Sequence, residues 1–315
     1  LIQWFSDFVV YKFLKIAEDS RLGKALDFFI YDSLKLIILL SVMIFVISFI
    51  RSYFPPERAR ELLSGKKLFV GNFLAAVLGV ISPFCSCSTV PIFIGFVEAG
   101  IPLGVTFSFL ITSPIVNEIA LVMLFTLFGW KIAGLYLISG MVIGIVGGII
   151  IGNLNLEKEV EEYVYQIQMG ETHVEQMTRQ ERLEFAKDAV VDIIKRIWIF
   201  ILIGIGIGAV IHGYAPADLL SRYAGENNSF AVFVAVALGI PLYSNAVGTI
   251  PVIQALIGKG VAVGTALSFM MAVVALSLPE MIILRKVIKP KLIGIFVGIV
   301  GVSIIFVGYL FNIIL

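Results

Sequence analysis

Charge is scarce in this chain, and the scarcity excludes most soluble designs. Only 14% of its 315 residues are Asp, Glu, Lys or Arg, against 59% hydrophobic, and the mean hydropathy is +1.03. A water-soluble globule needs far more polar surface than that. The net charge of +1 gives no electrostatic case for nucleic acid as a partner. The two histidines, His173 and His212, form no His-Glu-x-x-His, so the usual zinc hydrolase arrangement is missing. The two cysteines, Cys85 and Cys87, cannot build a disulfide framework and are not spaced as Cys-x-x-Cys. A Gly-x-x-x-x-Gly-Lys-Ser/Thr loop is also missing, so nucleotide hydrolysis by this chain is not expected. No cofactor or metal is expected. The chain opens with Leu rather than Met, as expected of a trimmed N-terminus, and no secretory signal is visible there.

What the chain has in abundance is apolar runs of membrane-spanning length, ~20 residues for a ~30 Å hydrocarbon core. Those runs repeat. A shift of 160 pairs Asp32 with Asp192, Lys35 with Lys195, Pro56 with Pro216 and Gly65 with Gly225. It also pairs Thr89-x-Pro91 with Thr249-x-Pro251, Gly100 and Gly104 with Gly260 and Gly264, and Lys131 with Lys291. Matches among Pro, Gly, Thr and Asp without a register slip are hard to obtain by chance.

Loop charge predicts that the halves are upside down relative to each other. The loop around 51–67 carries Arg51, Arg58, Arg60, Lys66 and Lys67, whereas its counterpart at 211–229 carries only Arg222. At the other end the sense reverses: 125–131 holds only Lys131, while 285–291 holds Arg285, Lys286, Lys289 and Lys291. Cytoplasmic loops are the Lys- and Arg-rich ones. The expected fold is an all-α polytopic membrane protein of two inverted-topology repeats, with broken helices at the midplane and about five spans in each half. The spans fall near 33–53, 68–84, 88–110, 112–129 and 131–152 and at the matching places of the second half. Four regions follow: an interfacial amphipathic helix at 1–32, a first repeat at 33–154, a charged linker at 155–190 and a second repeat at 191–315. The expected location is the cytoplasmic (inner) membrane with the linker inside. In that linker, Thr178-Arg-Gln-Glu181 is a capping-box pattern that predicts a helix start at Thr178.

The helix breaks carry the candidate chemistry. One is Ser82-Pro83-Phe84-Cys85-Ser86-Cys87-Ser88-Thr89-Val90-Pro91, matched by Pro241 to Pro251 with Ser244, Asn245, Gly248 and Thr249 inside it. Unwound backbone at membrane depth is tolerated where protein or a water-lined cavity satisfies it. A second pair follows at Thr112-Ser113-Pro114 to Asn117-Glu118 and at Ser277-Leu278-Pro279-Glu280. Hinges are therefore expected at Pro83, Pro91, Pro114, Pro241, Gly248, Pro251 and Pro279. Candidate solute groups are Cys85, Cys87, Ser86, Ser88, Thr89, Ser113, Asn117, Ser244, Asn245 and Thr249. Glu118 and Glu280 are the candidates for proton coupling, because a carboxylate within an apolar span is normally protonated, paired or wetted. The plainer alternative for Glu280 is neutralising Arg285, five residues on. The Cys-x-Cys pair is the most selective feature, since soft thiolates select soft, thiophilic species. Buried packing is its plainer role. Gly140-x-x-x-Gly144 invites another helix to close approach, and that partner is expected within the chain; oligomeric state is not legible.

The run Ser82-Pro-Phe-Cys-Ser-Cys-Ser-Thr-Val-Pro91 resembles the signature of the predicted-permease family that includes the ArsP-type organoarsenical efflux permeases. Gly239-Ile-Pro-Leu-Tyr243, Gly248-Thr-Ile-Pro251 and Glu280-Met-Ile-Ile-Leu-Arg285-Lys286 resemble its second half. The resemblance implies an inner-membrane permease whose best-described relatives export trivalent organoarsenicals, with thiol coordination at Cys85 and Cys87. The expected partners are the lipid bilayer and a small-molecule or metalloid solute. Another small anion or a divalent metal on the same scaffold, and a membrane thiol oxidoreductase, are the competing functions.

Overall fold

The computed structural model describes residues 2–17, 20–51, 68–82, 86–161, 178–214, 230–242 and 246–315. Helix α1 (Ile2–Asp7) runs into a π-helical stretch (Phe8–Phe13). Then come α2 (Arg21–Arg51), α3 (Leu68–Ile81), α4 (Ser86–Glu98), α5 (Leu103–Ile115) and α6 (Glu118–Asn153). After a 3-10 turn (Glu157–Glu159) follow α7 (Arg179–Tyr214), α8 (Ala231–Gly239), α9 (Ala246–Gly258), α10 (Val263–Ala275), α11 (Leu278–Leu284) and α12 (Pro290–Ile314). No strand occurs among the described residues; one isolated bridge joins Val160 and Ile288. A helix satisfies its backbone internally, which lipid requires. Among the described residues, three stretches are long and apolar enough to cross a membrane: Ala120–Asn153, Val263–Leu284 and Pro290–Ile314.

The 160-residue register reappears in local structure. α4 and α9 start 160 residues apart, as do α5 and α10, and all four are 13 residues long. α4 and α9 end in the same Schellman turn, with Gly100 at φ 73° and Gly260 at φ 86°. The Ile101 N–H donates to the Phe96 carbonyl at 3.0 Å and the Val261 N–H to the Leu256 carbonyl at 3.1 Å. Glycine takes that left-handed conformation without steric cost.

These turns correct the expected spans. The segment 88–110 is not one helix, because the Gly100 turn splits it. Nor does 112–129 stand alone, because the break falls at 116–117 instead of 111. Each 13-residue piece measures ~20 Å and is too short to reach across by itself. α6 kinks at Gly129 (φ 83°, ψ 174°), and the matching place in the second half is the gap between α11 and α12. α2 begins at Arg21, within the stretch expected to be interfacial. Residues 162–177 and the loops at 52–67 and 215–229 lie outside the described residues.

Packing also repeats. α5 is buried along its whole length against α3, α4 and α6, and α10 packs likewise against α8, α9 and α12. The backbones touch at glycine: a methyl at Gly104 would meet the Gly148 carbonyl at 2.5 Å, and one at Gly264 would run into the Gly308 carbonyl. Gly140 and Gly144 lie against Thr112 and Ile115 of α5 and against Val116 just beyond it, so their partner is within the chain. Across the halves α2 lies along α7, α5 meets α10, α6 meets α12 and α9, and α11 meets α4.

Two contacts set the course of α6 and α12. The Lys131 Nζ donates to the Ile314 carbonyl at 3.3 Å. At the other end the Glu161 N–H donates to the Val287 carbonyl at 2.9 Å and the Lys289 N–H to the Glu159 carbonyl at 2.7 Å. The arm of α6 beyond Gly129 and α12 therefore lie side by side and run in opposite directions. Ion pairs Arg285–Glu161 (2.8 Å) and Lys291–Glu159 (3.3 Å) reinforce the second contact.

The helix start at Thr178 forms as the sequence predicts. The Thr178 N–H donates to Glu181 Oε2 at 2.7 Å, and the Glu181 N–H to Thr178 Oγ1 at 3.4 Å. The Thr178 backbone N–H, helped by its hydroxyl, holds the Glu181 carboxyl below the usual range. At the N-terminus Ser6 donates to the Asp27 carbonyl at 3.0 Å and to its carboxylate, docking α1 on α2. Trp4, Phe5, Phe8 and Phe13 are left exposed on the other side.

Candidate functional site

Two kinds of break organise the middle of each half. The first precedes α4 and α9. Ser82 bends the chain after α3, its hydroxyl on the Leu78 carbonyl at 2.5 Å; after α8, Pro241 turns and the Leu242 N–H donates to the Gly239 carbonyl at 3.0 Å. Pro83, Cys85, Ser244 and Asn245 lie outside the described residues, and for Ser86, Cys87, Ser88 and Gly248 the backbone alone is described. The unwound run is shorter than the sequence predicts, because 86–91 and 246–251 are already helical.

Pro91 and Pro251 thus sit inside helices and do not bracket a loop. Each lacks the N–H that would bond the carbonyl four residues back. Those carbonyls belong to Cys87 and Val247, so a freed acceptor falls at each member of this repeat pair. Thr89 and Thr249 are both buried, at 0% and 2% exposure.

The second break separates α5 from α6 at Val116 (φ −102°, ψ 80°) and α10 from α11 at Leu276 (φ −126°, ψ 18°). Here the halves diverge. Asn117 Oδ1 accepts from the Ala120 N–H at 3.4 Å and so caps α6. Its counterpart Ser277 makes no side-chain cap on α11. Its hydroxyl is buried without a hydrogen-bond partner, as are both carboxyl oxygens of Glu280. Beside the first-half break the Thr112 and Ser113 hydroxyls and Glu118 Oε2 are likewise buried and unpaired. Pro114 lies in the last turn of α5 and Pro279 in the first turn of α11.

The plainer reading of Glu280 fails. Arg285 pairs with Glu161, and Glu280 is fully buried instead of reaching it. The helices that bear the two kinds of break pack on one another across the halves. α11, with Glu280, lies on α4, with Cys87 and Thr89; α6, with Glu118 at its start, lies on α9, with Thr249. Among the described residues no group of three or more His, Cys, Asp and Glu converges. The unpaired hydroxyls of Thr112, Ser113 and Ser277 and the unpaired carboxyl oxygens of Glu118 and Glu280 all lie at or beside the second kind of break. Sequence reasoning missed Ser277 and Tyr136, both buried with unpaired hydroxyls. Ser277 was findable, because it holds the register position of Asn117.

Comparison with known proteins places the chain among permeases of one family. The ArsP_1 family, described as predicted permease, matches residues 21–313. The UPF0718 protein MJ0584 of Methanocaldococcus jannaschii is 22% identical, over 78% of this chain and 83% of its own. A Streptococcus mutans protein whose name describes a subunit of a two-component membrane permease complex is 25% identical, over 82% and 84%. The UPF0718 protein YraQ of Escherichia coli is 24% identical, over 78% and 68%. No solved structure matches the chain.

Proposed function

The chain belongs to the predicted-permease family, and we propose that it is an alternating-access secondary transporter whose two halves are inverted in the membrane. One observation carries the reading: the broken helices that bear the candidate residues pack across the halves, α11 on α4 and α6 on α9. Such pairs, facing each other about a pseudo-two-fold axis, make a solute site near the midplane. The opposed course of the α6 arm and α12, and the opposite charge differences of equivalent loops, support the inversion. The linker at 155–190 then faces the cytoplasm, and the protein sits in the inner membrane.

For the cargo we infer a soft, thiophilic solute such as a trivalent organoarsenical, moved outward. Cys85 and Cys87 supply two thiolates, and a monomethylated trivalent arsenical has two exchangeable ligands to give up. Thr89, Ser113, Asn117, Ser244, Asn245 and Thr249 supply polar contacts, and Glu118 and Glu280 are the groups available to couple transport to protons. The test is uptake of methylarsenite into everted vesicles carrying a proton gradient. Wild-type protein accumulates it; Cys85→Ser/Cys87→Ser does not.

A second reading keeps the scaffold and changes the cargo to another small anion or a divalent metal. The equal burial of Thr89 and Thr249 and the unpaired Ser113 hydroxyl favour it, because they need no sulfur. Retention of methylarsenite uptake in the double cysteine variant selects this reading. A membrane thiol oxidoreductase ranks lower and would show turnover in detergent without any gradient.

A further inference from the structure

Glu280 is the one charged side chain among the described residues that is buried with neither carboxyl oxygen hydrogen-bonded. Ser277 and Glu280 stand at the N-cap and third position of α11, the spacing of a capping box. The same spacing at Thr178 and Glu181 forms a closed box on the surface, with the carboxylate accepting from the backbone at 2.7 Å. At Ser277 and Glu280 the box is open. The first half shows that capping needs no acid here, since Asn117 caps Ala120 at the equivalent place. Glu280 is therefore not held at this position by the demands of the helix start.

An ionised carboxylate in that setting is unstable, because it has lost water and gained no donor. The surroundings add to the problem. Ala275 ends α10 two residues before Ser277, so the carbonyls of a helix C-terminus, the negative end of its dipole, adjoin the start of α11. Of the basic groups that follow α11, Arg285 pairs with Glu161, Lys289 donates to the Lys158 carbonyl and Lys291 pairs with Glu159. α11 packs on α7 and α4. Glu280 accepts no hydrogen bond from α7, whose charged residues run from Arg179 to Arg196, and the charged residue of α4 is another acid, Glu98. One carboxylate with neutral oxygens is too little charge for a divalent ion, which takes more carboxylates or retained waters.

We propose that Glu280, the Ser277 hydroxyl and the carbonyl end of α10 form the seat of a single monovalent cation, a proton or Na⁺, bound in this conformation. The proposal rests on the carrier reading for its role, and it chooses Glu280 over Glu118 as the coupling group. Ser277 is a positioning residue: when the cation leaves, its hydroxyl and N–H can close the box on the freed carboxylate, as Thr178 does on Glu181.

Infrared difference spectra of the full chain in lipid test this without any transported solute, so failure of the arsenical reading leaves the test intact. In sodium-free buffer near neutral pH, wild-type protein is expected to show a protonated-carboxyl band that Glu280→Gln deletes and Glu280→Asp moves. If Na⁺, but not K⁺, converts that band to a carboxylate signal, sodium is the cation; if Na⁺ leaves it unchanged, the proton is. Ser277→Ala is expected to displace the band and Ser277→Thr to restore it. A Glu280-dependent signal that is already carboxylate in sodium-free buffer overturns the site. A band unmoved by Ser277→Ala removes that hydroxyl from it.

Discussion

The crossing of α5 on α6 and the crossing of α10 on α12 are nearly the same object, down to the glycines at 104 and 148 and at 264 and 308. The breaks at the far ends of α5 and α10 are not. Asn117 caps Ala120 in the first half, while Ser277 leaves an uncapped helix start with a buried Glu280 in the second. Close backbone approach leaves no freedom to diverge, since any side chain would collide. A helix break tolerates many residues provided its polar groups find partners. The halves have kept the packing and split the chemistry.

The largest effect should come where the halves agree. Gly148→Val and Gly308→Val each force bulk into the helix crossing, against the Ser108 and Ser268 side chains respectively, an overpacking cost on the order of 1–3 kcal/mol. Both variants should lose folded protein to a similar degree, as yield and melting in detergent would show. A large difference between them would break the equivalence. Next comes the site where the halves differ. Glu280→Gln should lower gradient-driven methylarsenite uptake on the order of 10²-fold, the scale of a lost proton-transfer group, whereas Glu118→Gln should lower it less. Equal losses would return the two acids to the same rank.

A smaller effect separates the two ends of α6 and α12. Arg285→Ala removes an exposed ion pair worth roughly 0–1 kcal/mol, so melting should drop slightly at low salt and not at high salt. Lys131→Ala, which loses only a bond to the Ile314 carbonyl, should leave melting unchanged. The smallest effect lies at the linker. Thr178→Ala should increase amide exchange in the first turn of α7. Because the folded Glu181 carboxyl titrates below its ordinary value, the cap contributes fully above that ordinary value and is lost as pH falls through the lowered one. The wild type and Thr178→Ala should therefore converge in acid.

Much of this was legible in residue patterns. The repeat was readable because Gly, Pro and Thr are rare enough to mark a register, and the Thr178 start because a capping box is local. The turns at Gly100 and Gly260 fall inside long apolar runs, where the single charges beside them, Glu98 and Lys259, do not interrupt a span by length and hydropathy alone. The docking of Glu159 and Glu161 on 285–291 joins residues far apart in sequence, so no local pattern foretells it. That docking also withdrew Arg285 from Glu280, which sequence proximity had paired. Ser277 is marked by its register with Asn117, but that its hydroxyl makes no bond is visible only in the packed structure.

The inversion of the halves is tested most directly by side-specific labelling of Lys131→Cys and Lys291→Cys, an equivalent pair in the repeat, each in a Cys85→Ser/Cys87→Ser chain. With a membrane-impermeant maleimide, Lys291→Cys should label in everted vesicles and Lys131→Cys in right-side-out ones. Labelling of both from the same side would contradict the inverted arrangement and the transport cycle built on it.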